Sequence, residues 1–322
     1  MNKLGFDSRV FLAPMAGITD LPLRSLVSSF GKGVIVSEMV AVNAIQWHNP
    51  KTYRIADVRN EPYPVVVQLV GGEPKLFAEA VKLIEDLGAC SIDINMGCPV
   101  KKIVNNNSGS YLMKDIKLAS EIIDSAVKNT KLNVSVKFRK GWDHHNINAV
   151  EFARMCEDSG ASYITVHGRT RSDFYSGTSD WDIIKQVKES VKIPVIGNGD
   201  VTSPEIAKQR MVESGVDGIM IARGVLGNPW IISQTHDYIE NNISPYKYTI
   251  SETKNILLQH INNLIEYYGE HMALPISRKY VCWYCKGLRE AKSFREQYMR
   301  ITEYNQAFDL INTYFDSLEE QA

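Results

Sequence analysis

One thiol stands apart from the chain's other cysteines. Cys98 ends the run Asp93-Ile94-Asn95-Met96-Gly97-Cys98-Pro99, which leaves a strand-like segment and enters a turn. Flanking Gly and Pro would hold that thiol in a fixed, accessible place. Most unpaired cysteines are buried and inert, so the case for a catalytic Cys98 rests on its company. Lys137 interrupts an apolar alternation of Val134, Val136 and Phe138, where a strand lysine ordinarily faces water. His167 opens His167-Gly168-Arg169-Thr170-Arg171, and a lone histidine is more often a satisfied core residue. Asn198-Gly199-Asp200 and Ala222-Arg223-Gly224 complete the set. A thiol, two cations and a glycine-arginine corner suit an anionic aromatic ring that carries a phosphate.

The elements that must position these groups are short Val- and Ile-rich runs bounded by Gly, Pro or Asn: Val10–Pro14, Val34–Val40, Val65–Val70, Ser91–Asn95, Val134–Phe138, Tyr163–Val166, Pro194–Gly197 and Gly218–Ala222. Helical patterns separate them. Glu73-Pro74 opens one that Gly88 closes, Asp115 caps the next, and Ser203-Pro204-Glu205 starts another ending near Gly215. Strand–helix alternation implies parallel strands, and eight such units predict an α/β fold of (β/α)8 TIM-barrel type. A doubly wound open sheet is the alternative, but no Gly-x-Gly-x-x-Gly turn follows the first strand.

In such a barrel the residues just past each strand face the active site. The strand ends are Pro14-Met15-Ala16-Gly17, then Gln68, then Asn95 with Cys98, then Lys137 with Arg139, then His167 to Arg171, Asn198-Gly199-Asp200, and Ala222-Arg223-Gly224. Loops after the last two strands are the recurrent phosphate site. Gly199 and Gly224 would leave backbone N–H groups open to an anion. Lys137 and His167, on adjacent strands, suit the cations that a reduced flavin needs.

After Pro229 the rhythm changes. Residues 243–246 read as a linker, Ser251 as a cap, and Leu257, Ile261, Leu264 and Tyr268 as an inner helix face, so a barrel domain over 1–242 precedes an all-helical domain over 243–322. Between Leu274 and Arg300 seven basic residues stand against two acidic ones, interleaved with Tyr280, Trp283, Tyr284 and Tyr298. That mixture suits a nucleic-acid backbone or, equally, the solvated face of an amphipathic helix. Cys282 and Cys285 have no second Cys or His pair at zinc-site spacing, so no metal is expected. Five scattered cysteines argue against a disulfide framework, and no signal segment or membrane-length apolar run is visible. A cytoplasmic protein is expected.

The runs Pro14–Asp20, Asp93–Pro99, His167–Arg171 and Asn198–Asp200 resemble the tRNA-dihydrouridine synthases. The likeness extends to Arg278-Lys279-Tyr280 and Lys286-Gly287-Leu288, and Arg171–Gly177 is most similar to the bacterial B type. Two departures are Val100, where the family often has Ala, and Arg289-Glu290 in place of small residues.

The resemblance implies an FMN barrel that reduces uridine in the tRNA D-loop with NADPH. It implies FMN contacts at Pro14, Met15, Ala16, Gln68, Lys137, His167, Asn198, Gly199, Asp200, Ala222 and Arg223. On this reading flavin N5 gives hydride to uracil C6, and Cys98 gives the proton to C5. Lys137 and His167 stabilise the reduced ring. Asn95, Arg139, Arg169 and Arg171 hold the base and its surroundings, while Lys101, Lys102, Arg278, Lys279 and Lys286 hold tRNA phosphates. The partner is tRNA, bound by a monomer without metal or membrane. Two alternatives remain: a flavin barrel acting on a free pyrimidine, and a catalytically inactive RNA-binding barrel.

Overall fold

A computed structural model describes residues 3–47 and 49–320. Eight parallel strands close into a barrel: β1 (Val10–Leu12), β2 (Val34–Ala41), β3 (Val65–Val70), β4 (Ser91–Met96), β5 (Val134–Arg139), β6 (Tyr163–His167), β7 (Val195–Asn198) and β8 (Gly218–Ile221). Each pairs with its sequence neighbours, and β8 returns to β1 with Val10 opposite Ile219. The expected fold class and all eight strands are present. An antiparallel hairpin over 141–147, after β5, was not anticipated.

Alternation along the strands explains both cores. One set of side chains, including Ile35, Val67, Ile92, Val136, Ile164 and Ile219, packs outward against the helices. The other set, including Phe11, Val36, Val66, Tyr163, Ile196 and Met220, forms an apolar plug inside the barrel. Two residues further along the same inward face, the plug gives way to Gln68, Asp93, Ser135, Thr165 and Asn198. Another step brings Asn95, Lys137 and His167. The barrel therefore turns polar toward the C-terminal ends of its strands.

Local signals set the helices. Asp115 accepts from Leu118 N at 3.0 Å and Ser203 from Ile206 N at 3.3 Å, as their types predict. Gly215 ends its helix at φ +70°, where a side chain would be strained. One cap differs from expectation. Thr249, not Ser251, starts the helix Ile250–Tyr268, because Thr249 and Glu252 exchange side-chain-to-backbone bonds in a capping box. The helices Glu270–Tyr284, Ala291–Tyr298 and Tyr304–Glu319 follow. They bury Leu257, Ile261, Val281, Phe294, Tyr298, Ile311 and Phe315 in a second core. No described helix is long and apolar enough to cross a membrane.

Candidate active site

The polar ends of the strands open into a cleft of about 700 Å³. Of the residues singled out in the sequence, Pro14, Met15, Ala16, Asn95, Cys98, Lys137, Arg139, His167, Arg169, Asn198, Gly199, Asp200, Ala222, Arg223 and Lys286 line it.

The Cys98 turn is held from both sides. Asn95 Oδ1 accepts from Gly97 N at 3.1 Å and from Cys98 N at 2.9 Å. The Cys98 carbonyl accepts from Ser110 N at 3.0 Å and from Ser110 Oγ at 2.9 Å. Gly109 makes this approach possible: its φ is +60°, and a Cβ there would lie 2.9 Å from Cys98 O. Burial pushes the Cys98 thiol up, outweighing the Val100 N–H and Arg139. The group therefore stays a thiol at neutral pH, the form that donates a proton.

Lys137 stands opposite Asn95 on the neighbouring strand. Its Nζ donates to Asn198 Oδ1 at 3.0 Å, and Asn198 is itself anchored through Nδ2 to Met220 O at 2.8 Å. Burial lowers Lys137 to about 8, Arg139 adds to this, and Asp93 opposes it. Among the described residues no carboxylate forms a salt bridge to it. Even a half-buried ammonium is costly without an ion-pair partner, and an anionic ligand in the cleft would relieve that cost.

His167 behaves differently from the expected cation. Burial holds it well below the usual histidine range, and Lys137, Arg139, Arg169 and Arg223 push the same way. It is neutral, so it brings a hydrogen-bonding imidazole to the cleft. The positive charge at this corner belongs to Lys137 and the arginines.

Asp200 organises the arginines beside His167. Both its oxygens accept from Arg169 Nη2 at 2.8 Å, and it also accepts from Ser179 N at 2.7 Å and from Arg223 Nη2 at 3.2 Å. Partial burial would raise its carboxyl, but these donors keep it below the ordinary range. Gly199 is required by packing as much as by ligand access. Its φ is +136°, and a Cβ would come within 2.1 Å of Ser179 Oγ. Arg223 is half exposed beside this corner and offers the rest of its guanidinium to an anion.

Several residues sit elsewhere than expected. Gln68 is fully buried beneath the cleft rather than lining it. Arg169 is also fully buried; it donates to Ser176 O, Gly177 O and Asp200 and so fixes the 171–177 loop. Arg171 lies outside the cleft with its guanidinium 4.6 Å from the Trp142 ring centre. Arg139 donates to Gly97 O, Thr170 O and Phe174 O. Arg278 donates to Ile301 O at 3.2 Å, and Lys279 Nζ donates to Gly17 O, so both turn inward. Lys101, Lys102 and Lys286 are exposed. Cys282 and Cys285 share one helix end, where Cys285 Sγ contacts Cys282 O at 3.6 Å. No group of three or more metal-ligating side chains forms among the described residues.

Sequence reasoning missed three contributors. Tyr175 is 57% exposed at the cleft wall, its ring 5.6 Å from Arg139 and 5.5 Å from Arg223. Gly109-Ser110 supports Cys98 from eleven residues downstream, and only a glycine between two serines hinted at it. Asp93 lay in full view within the Cys98 motif but read as a strand residue.

The dihydrouridine synthase (Dus) family pattern matches residues 11–319. A "Probable tRNA-dihydrouridine synthase" of Rickettsia conorii is 47% identical over 92% of this chain and 90% of its own length. A "tRNA-dihydrouridine synthase B" of Pseudomonas aeruginosa is 40% identical over 92% of this chain and 89% of its own. Among solved structures, histamine dehydrogenase from Rhizobium sp. 4-9 superposes with a TM-score of 0.57. It is 15% identical, covering 81% of this chain and 51% of that one. At that identity the likeness speaks for the barrel alone. The pattern match and the high-coverage relatives show that this chain belongs to the dihydrouridine synthase family.

Proposed function

We propose that this protein reduces uridine in the tRNA D-loop to 5,6-dihydrouridine, with FMN as cofactor and NADPH as reductant. The observation that carries the reading is the meeting, in one cleft, of the Cys98 thiol and a half-buried Lys137 ammonium that has no ion-pair partner among the described residues. That donor set fits a flavin. Pro14, Met15 and Ala16 form a smooth wall for a flat ring, Lys137 with His167 and Asn198 takes its polar edge, and Arg223 beside Gly199 takes its phosphate. FMN, when bound, supplies the reducing equivalents that NADPH renews.

The chain's own residues do the rest. Lys137 offsets negative charge on the ring edge, and the neutral His167 donates or accepts a hydrogen bond beside it. Cys98 delivers a proton to C5 of the uracil ring. Asn95 and Arg139 flank the thiol and hold its turn, Asn95 through the Gly97 and Cys98 N–H groups and Arg139 through Gly97 O. Arg169 acts through Asp200 and the 171–177 loop. The uridine must leave its stack to enter the cleft, costing a few kcal/mol. Phosphate contacts from Lys101, Lys102 and Lys286 offset this cost. On this reading residues 1–242 form the catalytic domain and residues 243–322 hold the tRNA. The protein works in the cytoplasm, as a monomer on tRNA.

The test is dihydrouridine formation in tRNA from a strain lacking the modification, with purified protein, FMN and NADPH. Wild type is expected to form product. Cys98→Ala is expected to lose 10²- to 10⁴-fold, the usual contribution of a general acid, while NADPH still reduces its flavin. No product from a reducible flavoprotein would overturn the tRNA reading and direct attention to free pyrimidines.

A further inference from the structure

Beneath the cleft, a line of side chains connects the barrel interior to the Cys98 turn. Asp93 is almost completely enclosed. One of its oxygens accepts from Ser135 Oγ at 2.6 Å and the other from Gln68 Nε2 at 2.6 Å. Gln68 then accepts through Oε1 from Asn95 Nδ2 at 2.8 Å. Asn95 in turn accepts through Oδ1 from the backbone N–H groups of Gly97 and Cys98. Neighbouring strands supply the parts in register, with Gln68 opposite Asp93 and Asp93 opposite Ser135.

The order of donors along this line is not arbitrary. A carboxylate only accepts, so the amide nitrogen of Gln68 must face Asp93. That choice turns the Gln68 oxygen toward Asn95 and the Asn95 nitrogen toward Gln68. Only then does the Asn95 oxygen face the two N–H groups of the catalytic turn. Reversing either amide would set donor against donor in a closed interior, where an unpaired polar group is expensive.

We propose that Asp93 is a positioning residue for the reaction: as a buried acceptor it sets the amide orientations of Gln68 and Asn95 and so fixes the Cys98 turn. The proposal rests on Cys98 being the proton donor. It assigns Asp93 no contact with substrate and no exchange of protons. Lys137, which lies near enough to Asp93 for their charges to interact, profits from the same carboxylate.

The role requires an acceptor, not a charge, and this makes it testable. Asp93→Asn can keep its oxygen toward Gln68, because the Ser135 hydroxyl can turn to accept from the new amide nitrogen. Asp93→Ala cannot. Each holoenzyme would be reduced anaerobically with NADPH and mixed with tRNA lacking dihydrouridine, and flavin reoxidation followed. Asp93→Ala is expected to slow reoxidation by about 10²-fold, the loss that a misplacement of roughly 1 Å produces. Its KM for tRNA should stay near wild type, and reduction by NADPH, which reads the Lys137 charge that Asp93 supports, is timed as a separate step. Asp93→Asn should recover most of the rate. Alkylation of Cys98 by iodoacetamide, read separately from turnover, should quicken in Asp93→Ala and not in Asp93→Asn.

Wild-type reoxidation in Asp93→Ala would overturn the proposal, and so would equal losses in both variants, which would make the charge decisive. If Asp93→Ala fails to fold, Gln68→Met cuts the line one step nearer the turn and carries the same expectation. A fully active Cys98→Ala, run alongside, would instead sink the proton-donor reading and leave the structural role of Asp93 to the alkylation result.

Discussion

Two half-buried lysines near the same cleft have opposite fates. Lys137 comes from the barrel wall, touches Asn198 and has no carboxylate partner among the described residues. Lys279 comes from the helical segment and donates to Gly17 O, with the charges of Asp20 and Glu38 nearby. Glu38 accepts the N–H of that same Gly17, so this residue of the β1 loop is held through both its N–H and its C=O. Tyr280 Oη donates to Ile18 O at 3.2 Å, and Tyr268 Oη donates to Asp20 Oδ2 at 3.0 Å. The barrel wall thus spends its polar groups on the cleft, and this part of the helical segment spends its own on the barrel. A basic residue in a basic stretch is not thereby a nucleic-acid contact. What decides is whether the fold already supplies its partner.

The sharpest way to break this contrast is to remove the Lys137 charge. Lys137→Met should cost about 10²- to 10³-fold in flavin reduction by NADPH, as does loss of one preorganised charge-stabilising donor. A pH profile gives the same information without mutation. Burial lowers Lys137 to about 8, so its ammonium is present below that value and lost above it. The wild-type rate should therefore fall as pH rises through about 8, and Lys137→Met should lack that limb. A limb unchanged in the variant would assign it to another group.

The helical side is sharpened by comparing Lys279→Met with Lys286→Ala. Lys279 is already occupied, so its loss should weaken flavin retention about fivefold, the worth of one hydrogen bond of roughly 1 kcal/mol. The salt dependence of tRNA binding should not change. Lys286 is exposed at the cleft mouth. Its loss should lower the slope of log affinity against log salt by about 0.7–0.9 and leave flavin in place. Swapped outcomes would reverse the roles assigned to the two lysines. The smallest effect belongs to the start of the helical segment. Thr249→Ala removes one arm of its capping box and should cost about 1 kcal/mol in a denaturant titration, with cleft chemistry intact.

Much of this molecule is legible in its residues. The eight strands emerge because Val- and Ile-rich runs are punctuated by Gly, Pro and Asn, signals that act within a few residues. Cys98, Lys137, His167 and Asn198 could be placed at the cleft because residues at and just past the strand ends face the mouth of such a barrel. The same locality explains the errors. Ser251 has the right residue type for a cap, but Thr249 has Glu252 at the spacing that closes a capping box. Arg171 and Arg278 look available as basic residues until Trp142 and Ile301 O turn out to lie beside them.

What the sequence determined by itself, then, is the barrel, its polar end and the thiol in that end, since hydrophobic period and turn chemistry are properties of neighbouring residues. Only the tertiary structure decided which cations remain free, that His167 is neutral, and that Asp93 reaches Cys98 through two amides. Those outcomes depend on burial and on partners distant in the chain. Lys279 and the Gly17 carbonyl that occupies it are 262 residues apart, and no local pattern encodes their meeting.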